Sequence, residues 1–258
     1  MQADLSDARV LDDIYHRIRP AITFNLVGYG VDVTERDEAI SYRINAGLPE
    51  DICNAVAKWG DQNWPGQQIV HTGSALEYGD IGGDLRENSS THPTTVYGIS
   101  KLKGTQSIAK GCAALGLRGL TARLFTVYGP GEHTGRLLPS LIETSRTGQS
   151  LKLTAGVQRR DFTYVEDVAD GLLRLGLAVS VEPGDVVNLA TGRLVSVWKF
   201  IETAASLLKI PAACLQFGAL PTRLEEMEHG DISIDRLREV LSWVPSTSIE
   251  EGLRASIS

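Results

Sequence analysis

Short apolar runs alternate with helical patterns through the first half of the chain, and that alternation constrains the fold more than any other feature. Ala21-Ile-Thr-Phe-Asn-Leu-Val27, Gln68-Ile-Val-His-Thr72 and Leu120-Thr-Ala-Arg-Leu-Phe125 are short and rich in β-branched residues, so each reads as a buried strand. Between them the spacing predicts helices over 10–18, stopping before Pro20, over 45–59 and over about 97–115. Buried strands joined by helical crossovers form a parallel sheet covered on both faces. The chain therefore predicts a doubly wound α/β fold. Beyond Gly129-Pro130-Gly131 the pattern turns to loops, with helices near 137–144 and 165–175 and a strand over 185–190. The stretch 221–258 is charged and reads as mostly helical. No long linker, internal repeat or low-complexity segment interrupts the sequence, so the second half is expected to cap the sheet rather than stand alone.

At 258 residues and 42% hydrophobic content, the chain can bury a sizeable core. Lys plus Arg number 25 against 32 Asp plus Glu, and a net charge of -7 repels a nucleic-acid backbone. Cys53, Cys112 and Cys214 have no C-x-x-C spacing, and His16, His71, His92, His133 and His229 show no ligand spacing, so neither a metal site nor a disulfide framework is expected. No apolar stretch reaches the roughly 18 residues of a membrane span, and residues 1–7 are polar where a leader would be basic and then apolar. These features fit a cytoplasmic protein with no membrane partner.

In an open parallel sheet, ligands bind outside the carboxyl ends of the strands, which directs attention to residues 25–29, 72–79 and 126–131. Tyr97 and Lys101 stand four apart at the start of a predicted helix, on one face. Ser74 follows the preceding strand, although by itself it also fits a turn or cap residue. Brought together, the three form a proton-transfer site: Lys101 holds Tyr97 as phenolate, Tyr97 exchanges a proton with a hydroxyl, and Ser74 orients that oxygen. An ammonium about 5 Å away at an effective dielectric near 20 is worth ~3 kcal/mol, enough to bring a tyrosine from ~10 to between 7 and 8.

Eight motifs then stand in one order along the chain. They are Asp4-Leu-Ser-Asp7, Arg43-Ile-Asn-Ala-Gly47, Thr72-Gly-Ser-Ala-Leu-Glu-Tyr-Gly79, Pro93-Thr-Thr-Val-Tyr-Gly-Ile-Ser-Lys101, Arg123-Leu-Phe-Thr-Val-Tyr-Gly-Pro130, Arg160-Asp-Phe-Thr-Tyr-Val-Glu-Asp167, Asn188-Leu-Ala-Thr-Gly192 and Leu241-Ser-Trp-Val-Pro245. Together they resemble the extended short-chain dehydrogenase/reductases, the NAD-dependent epimerase/dehydratase family of nucleotide-sugar enzymes. The resemblance implies a Rossmann-like NAD(P)-binding domain over 1–128 plus about 160–192, and a substrate cap from 129–159 and 193–258. It implies Ser74, Tyr97 and Lys101 as catalytic residues, and Asp4, Leu5 and Asn45 with Tyr97 and Lys101 on the NAD or NADP side. Ser74, Thr126, Arg160 and Arg223 would face a nucleotide-diphosphosugar, the two arginines gripping phosphate oxygens. An internal salt bridge is the other reading of each arginine. The activity implied is a 4-epimerase, as for UDP-glucose, or a 4-ketoreductase, in a homodimer joined through the helices flanking the Ser74 strand.

The sequence also departs from the family pattern. Thr126 stands where many members carry Asn, and Ala75-Leu76 replace the Asp-Glu pair of the 4,6-dehydratase branch, so water elimination is not expected. No G-x-x-G-x-x-G occurs. By resemblance the chain starts just after the third strand, without the first βαβ unit, which leaves the strand at 21–27 as an edge. Without that loop, dinucleotide affinity is expected to fall by about 4 kcal/mol. The competing reading is a truncated, non-catalytic paralogue that binds a nucleotide sugar or a partner subunit without cofactor.

Overall fold

The structure, a computed structural model, describes residues 4–5, 7–32, 34–80, 84–221 and 230–257. In chain order its elements are α1 (Ala8–Ile18), β1 (Thr23–Asn25), α2 (Glu38–Tyr42), α3 (Leu48–Trp59), β2 (Ile69–Ser74), α4 (Val96–Leu115), β3 (Gly119–Leu124), β4 (Thr126–Tyr128), α5 (Leu137–Thr147), β5 (Leu151–Lys152), β6 (Arg159–Tyr164), α6 (Val165–Leu177), β7 (Asp185–Leu189), β8 (Leu194–Ser196), α7 (Val197–Leu208), β9 (Leu215–Gln216), α8 (Asp235–Leu241) and α9 (Ile249–Ile257).

Four strands make the main sheet in the order β1-β2-β3-β7, every pair parallel. Apolar side chains leave both faces, as the continuous runs predict. On one face Ile69 packs with Leu11, Leu48, Val56 and Ile108 from α1, α3 and α4. On the other, Val70, Leu120, Ala122 and Val187 meet Val168, Leu172 and Leu175 of α6 and Leu237 of α8. This two-sided burial is the doubly wound arrangement.

Several elements differ in extent from the sequence pattern. The edge strand β1 keeps three residues of the predicted seven, and Leu26 and Val27 run past its end 59% and 37% exposed. β2 extends two residues further than expected and delivers Ser74 to the carboxyl edge. The helix expected from residue 45 begins at Glu38, capped by the Asp37 side chain on the Ile40 N–H, and passes through a π turn at Arg43–Gly47 before α3. The added residue of a π turn rotates the following side chains, and here it turns Asn45 inward to 1% exposure.

A second, smaller sheet has the order β4-β6-β8, with β4 and β6 parallel and β6 and β8 antiparallel. Residues 126–128 and about 160–164, assigned from the sequence to the larger domain, pair here instead. The charged opening of β6, Arg159-Arg160-Asp161, hides the strand from an apolar-run search. Beneath this sheet Tyr128, Phe162 and Phe200 form a separate core with Leu141 and Leu253, the Phe162 and Phe200 rings stacked at 4.2 Å. No described helix is long and apolar enough to cross a membrane.

Candidate active site

Ser74 ends β2 and caps the turn that follows. Its Oγ accepts from the Leu76 N–H at 3.2 Å, while Glu77 folds back so that Oε1 accepts from the Ser74 N–H at 2.7 Å. These reciprocal bonds form a capping box and close a 3-10 turn at Ala75–Glu77. An extended loop would have sent Glu77 to the opposite face; the turn draws it into the core instead, where it is 0% exposed. There Oε2 accepts from Thr105 Oγ1 and from Arg123 Nε, each at 2.9 Å. The Arg123 guanidinium lies 4.4 Å from the centre of the Tyr78 ring, and the Tyr78 hydroxyl donates to Asn188 Oδ1 at 2.7 Å. A charge carried on a buried strand is tolerated only with such a partner.

α4 is opened by Thr95, whose side chain accepts from the Gly98 N–H at 3.0 Å. A Cβ at residue 98 would come within 2.5 Å of the Leu76 carbonyl oxygen, so glycine is what lets the helix start directly on the Ser74 turn. Tyr97, Lys101 and Thr105 then follow at i, i+4 and i+8, one stripe along the helix. Thr105 and Lys101 are buried and Tyr97 is half-buried. The Ser74 hydroxyl lies close enough to the Tyr97 phenol to favour its anion. Ser74, Tyr97 and Lys101 are thus brought to one place, the carboxyl edge of β2.

The electrostatics run opposite to the sequence expectation. Burial pushes Tyr97 up to about 12, and the nearby Glu77 charge adds to the rise, against the Ser74 hydroxyl and Arg136. Burial also brings Lys101 down to about 8, against Glu77, which favours its ammonium. The anticipated lowering of Tyr97 to between 7 and 8 by Lys101 does not occur here. Desolvation is the largest effect on the phenol, and the charges acting on it are those of Glu77, Arg136 and Glu35, so Tyr97 stands as a neutral phenol.

The remaining expected residues fall into different places. Asn45 Oδ1 accepts from the Tyr29 N–H at 3.0 Å and Nδ2 donates to the Tyr29 carbonyl at 2.8 Å and to Ser100 Oγ at 2.9 Å. Its amide is engaged within the chain, so its part in the site is to fasten the loop after β1 to α4. Leu5 packs against the α1–α3 core, and Asp4 is exposed beside it. Thr126 opens β4, half-buried, and Arg160 lies half-buried on β6 with Nη1 donating to the Arg159 carbonyl at 3.4 Å. Arg223 lies outside the described residues.

Two groups behind Ser74 escaped the sequence reading, Glu77 as its partner and Arg123 as the partner of Glu77. Glu77 carried a signal, the Ser-x-x-Glu spacing of a capping box; Arg123 carried another, a lone charge inside an apolar strand. His71, inside β2, is 0% exposed, and Asn25 Nδ2 donates to its Nδ1 at 3.0 Å. Burial, then the charge of Lys101, holds it well below the usual histidine range and therefore neutral.

An open parallel sheet with a serine, a tyrosine and a lysine near its carboxyl edge places the chain among Rossmann-like α/β folds. Residues 1–190 match the model of the NAD dependent epimerase/dehydratase family, and the chain belongs to that family. An uncharacterised UDP-glucose epimerase of Bacillus subtilis is 29% identical over 196 residues, covering 74% of this chain and 60% of that protein's length. A GDP-6-deoxy-D-mannose reductase of Pseudomonas aeruginosa is 26% identical over 272 residues, covering 99% of this chain and 84% of the relative. The structure of dTDP-glucose 4,6-dehydratase from Bacillus anthracis, in complex with NAD, superposes on all of this chain and on 77% of its own, with a TM-score of 0.84 at 17% identity. That last likeness is one of fold.

Proposed function

We propose that this chain carries the proton-transfer site of an NAD(P)-dependent nucleotide-diphosphosugar epimerase or 4-ketoreductase acting at the sugar C4. One observation carries the reading: Ser74, Tyr97 and Lys101 meet at the carboxyl edge of β2, while the two positions after Ser74 offer no acid or base. Ala75 is buried and Leu76 packs into the apolar cluster around Tyr78. Eliminating water would require two further proton-transfer groups beside the sugar, and neither side chain supplies one.

The donor set fits the reactive end of a nicotinamide cofactor, because a buried lysine beside a tyrosine and a serine can hold ribose hydroxyls and a reacting oxygen together. Lys101 and Tyr97 would hold that end. NAD(P), when bound, supplies the hydride partner. The chain's own residues supply the proton. Ser74 donates to the sugar oxygen and fixes it against the Tyr97 hydroxyl. As a neutral phenol, Tyr97 is ready to give its proton to a 4-keto oxygen, the direction of reduction; taking a proton from a 4-hydroxyl requires the phenolate. Arg160, on the small sheet, would face the diphosphate.

Incubation of nucleotide-linked hexoses with excess NAD(P)+, and of nucleotide-linked 4-keto hexoses with excess NAD(P)H, followed by NMR of the products, tests the reading. Inversion or reduction at C4 is expected. Multiple-turnover formation of a product lighter by one water would overturn it.

A further inference from the structure

We infer that Glu77 is a positioning residue of this site: wedged under the Tyr97–Lys101–Thr105 stripe, its carboxylate locks Ser74 in place and sets a negative charge against Lys101. The geometry comes from both ends of the carboxylate. Oε1 takes the Ser74 N–H at 2.7 Å, and this bond holds the serine at the mouth of the turn rather than along an extended loop. Oε2 takes Thr105 Oγ1 at 2.9 Å, one helical turn beyond Lys101 on the same face of α4. The negative charge therefore lies beneath the lysine, inside the protein, where little solvent screens it. Arg123 Nε meets the same oxygen from β3 at 2.9 Å, so the carboxylate, at 0% exposure, is paired with a guanidinium.

The groups facing Lys101 are few. Tyr97 is a neutral phenol, His71 of β2 is a neutral imidazole, and Glu77 is the anion that favours its charged form. Burial alone drives the lysine toward neutrality. Glu77 opposes it, and by the same field opposes phenolate formation at Tyr97, which also faces Arg136 and Glu35. The carboxylate thus favours a cationic lysine and a protonated tyrosine, the pair suited to reduction. This role rests on the proposed reading of Tyr97 and Lys101 as the proton-transfer pair, but the experiment reads titration and not turnover, so the two can fail separately.

The test is an NMR titration of lysine side chains in the full chain, with the Lys101 signal assigned by Lys101→Met. In the unmodified protein Lys101 is expected to titrate near 8 and to be charged at neutral pH; a neutral Lys101 there would overturn the inference by itself. In Glu77→Gln/Arg123→Met, which removes both charges of the buried pair together, Lys101 should titrate lower by about one pH unit or more. Tyr97, followed by tyrosinate absorbance against Tyr97→Phe, should titrate lower too. An unmoved Lys101 in a folded double variant would show that Glu77 serves the fold alone.

Discussion

Two buried centres in this molecule are built on opposite principles. Behind Ser74 the interior is polar: Glu77 is hydrogen-bonded by Thr105 and Arg123, the Arg123 guanidinium lies over the Tyr78 ring, and the Tyr78 hydroxyl bonds Asn188, all at the carboxyl end of the main sheet. Under the small sheet the interior is aromatic, with Tyr128 edge-on to Phe200 at 5.2 Å and Phe162 stacked on it. Apolar packing is non-directional and tolerates a shifted ring, whereas a hydrogen-bonded carboxylate fixes the atoms it binds to within tenths of an ångström. The polar centre therefore holds Ser74 and its neighbours in place, and the aromatic centre supplies stability away from the candidate site. The teaching is that loss of activity and loss of stability should separate by location.

The sharpest separation is expected from Tyr97→Phe. Turnover on the proposed substrate should fall about a thousandfold, the usual worth of a positioned acid or base, while the melting temperature stays within about 2 °C. Thermal melts and steady-state rates on the same preparation check both halves. Unchanged turnover would remove Tyr97 from the chemistry.

Next in size is the buried ion pair. Arg123→Met alone strands the Glu77 carboxylate and should cost about 3–5 kcal/mol in urea unfolding, while Glu77→Gln/Arg123→Met should recover most of that loss. If the single variant proves no less stable than the double, the polar centre is not held by charge. By contrast, Phe200→Leu in the aromatic core should cost about 1–2 kcal/mol and leave the Tyr97 titration where it was.

A smaller effect of opposite sign is expected from Lys101→Met. The folded-state pKa of about 8 lies below the unfolded value of 10.5, so between those values the unfolded chain binds the additional proton. Stability owed to this group therefore rises with pH across that window, and below it the fold carries the full cost of a buried ammonium. The variant should be more stable than the parent at pH 7, by on the order of 2 kcal/mol, with the advantage fading toward pH 10. Paired unfolding curves at several pH values measure it, and a constant difference would contradict the sign. Thr105→Val should be the mildest change, about 1 kcal/mol, because only one donor to Glu77 is lost.

Much of this architecture was open to reading in the sequence, and the reason lies in period and spacing. The runs at 68–72 and 120–125 became β2 and β3 because strands buried on both faces must be apolar without interruption. The spacing of Tyr97 and Lys101 could mean only one helix face, and Ser74 had to lie at the end of its strand. β6 escaped because its opening is charged, and the π turn escaped because no local pattern marks it. Glu77 escaped for a related reason: the Ser-x-x-Glu signal is in the sequence, but the capping box it closes on Ser74 shows only once the chain turns there.

What the amino-acid order determined by itself was the alternation of elements and the parallel sheet, since both follow from local periodicity; it also offered Ser74, Tyr97 and Lys101 as candidates, by the rule that ligands meet such sheets at the carboxyl edge. What only the tertiary structure decided was their chemistry. Whether Tyr97 is a phenol or a phenolate depends on how deeply it is buried and on which charges stand behind it. Burial and long-range pairing, Glu77 with Arg123 across 46 positions of sequence, are sums over the whole fold that no window of residues contains.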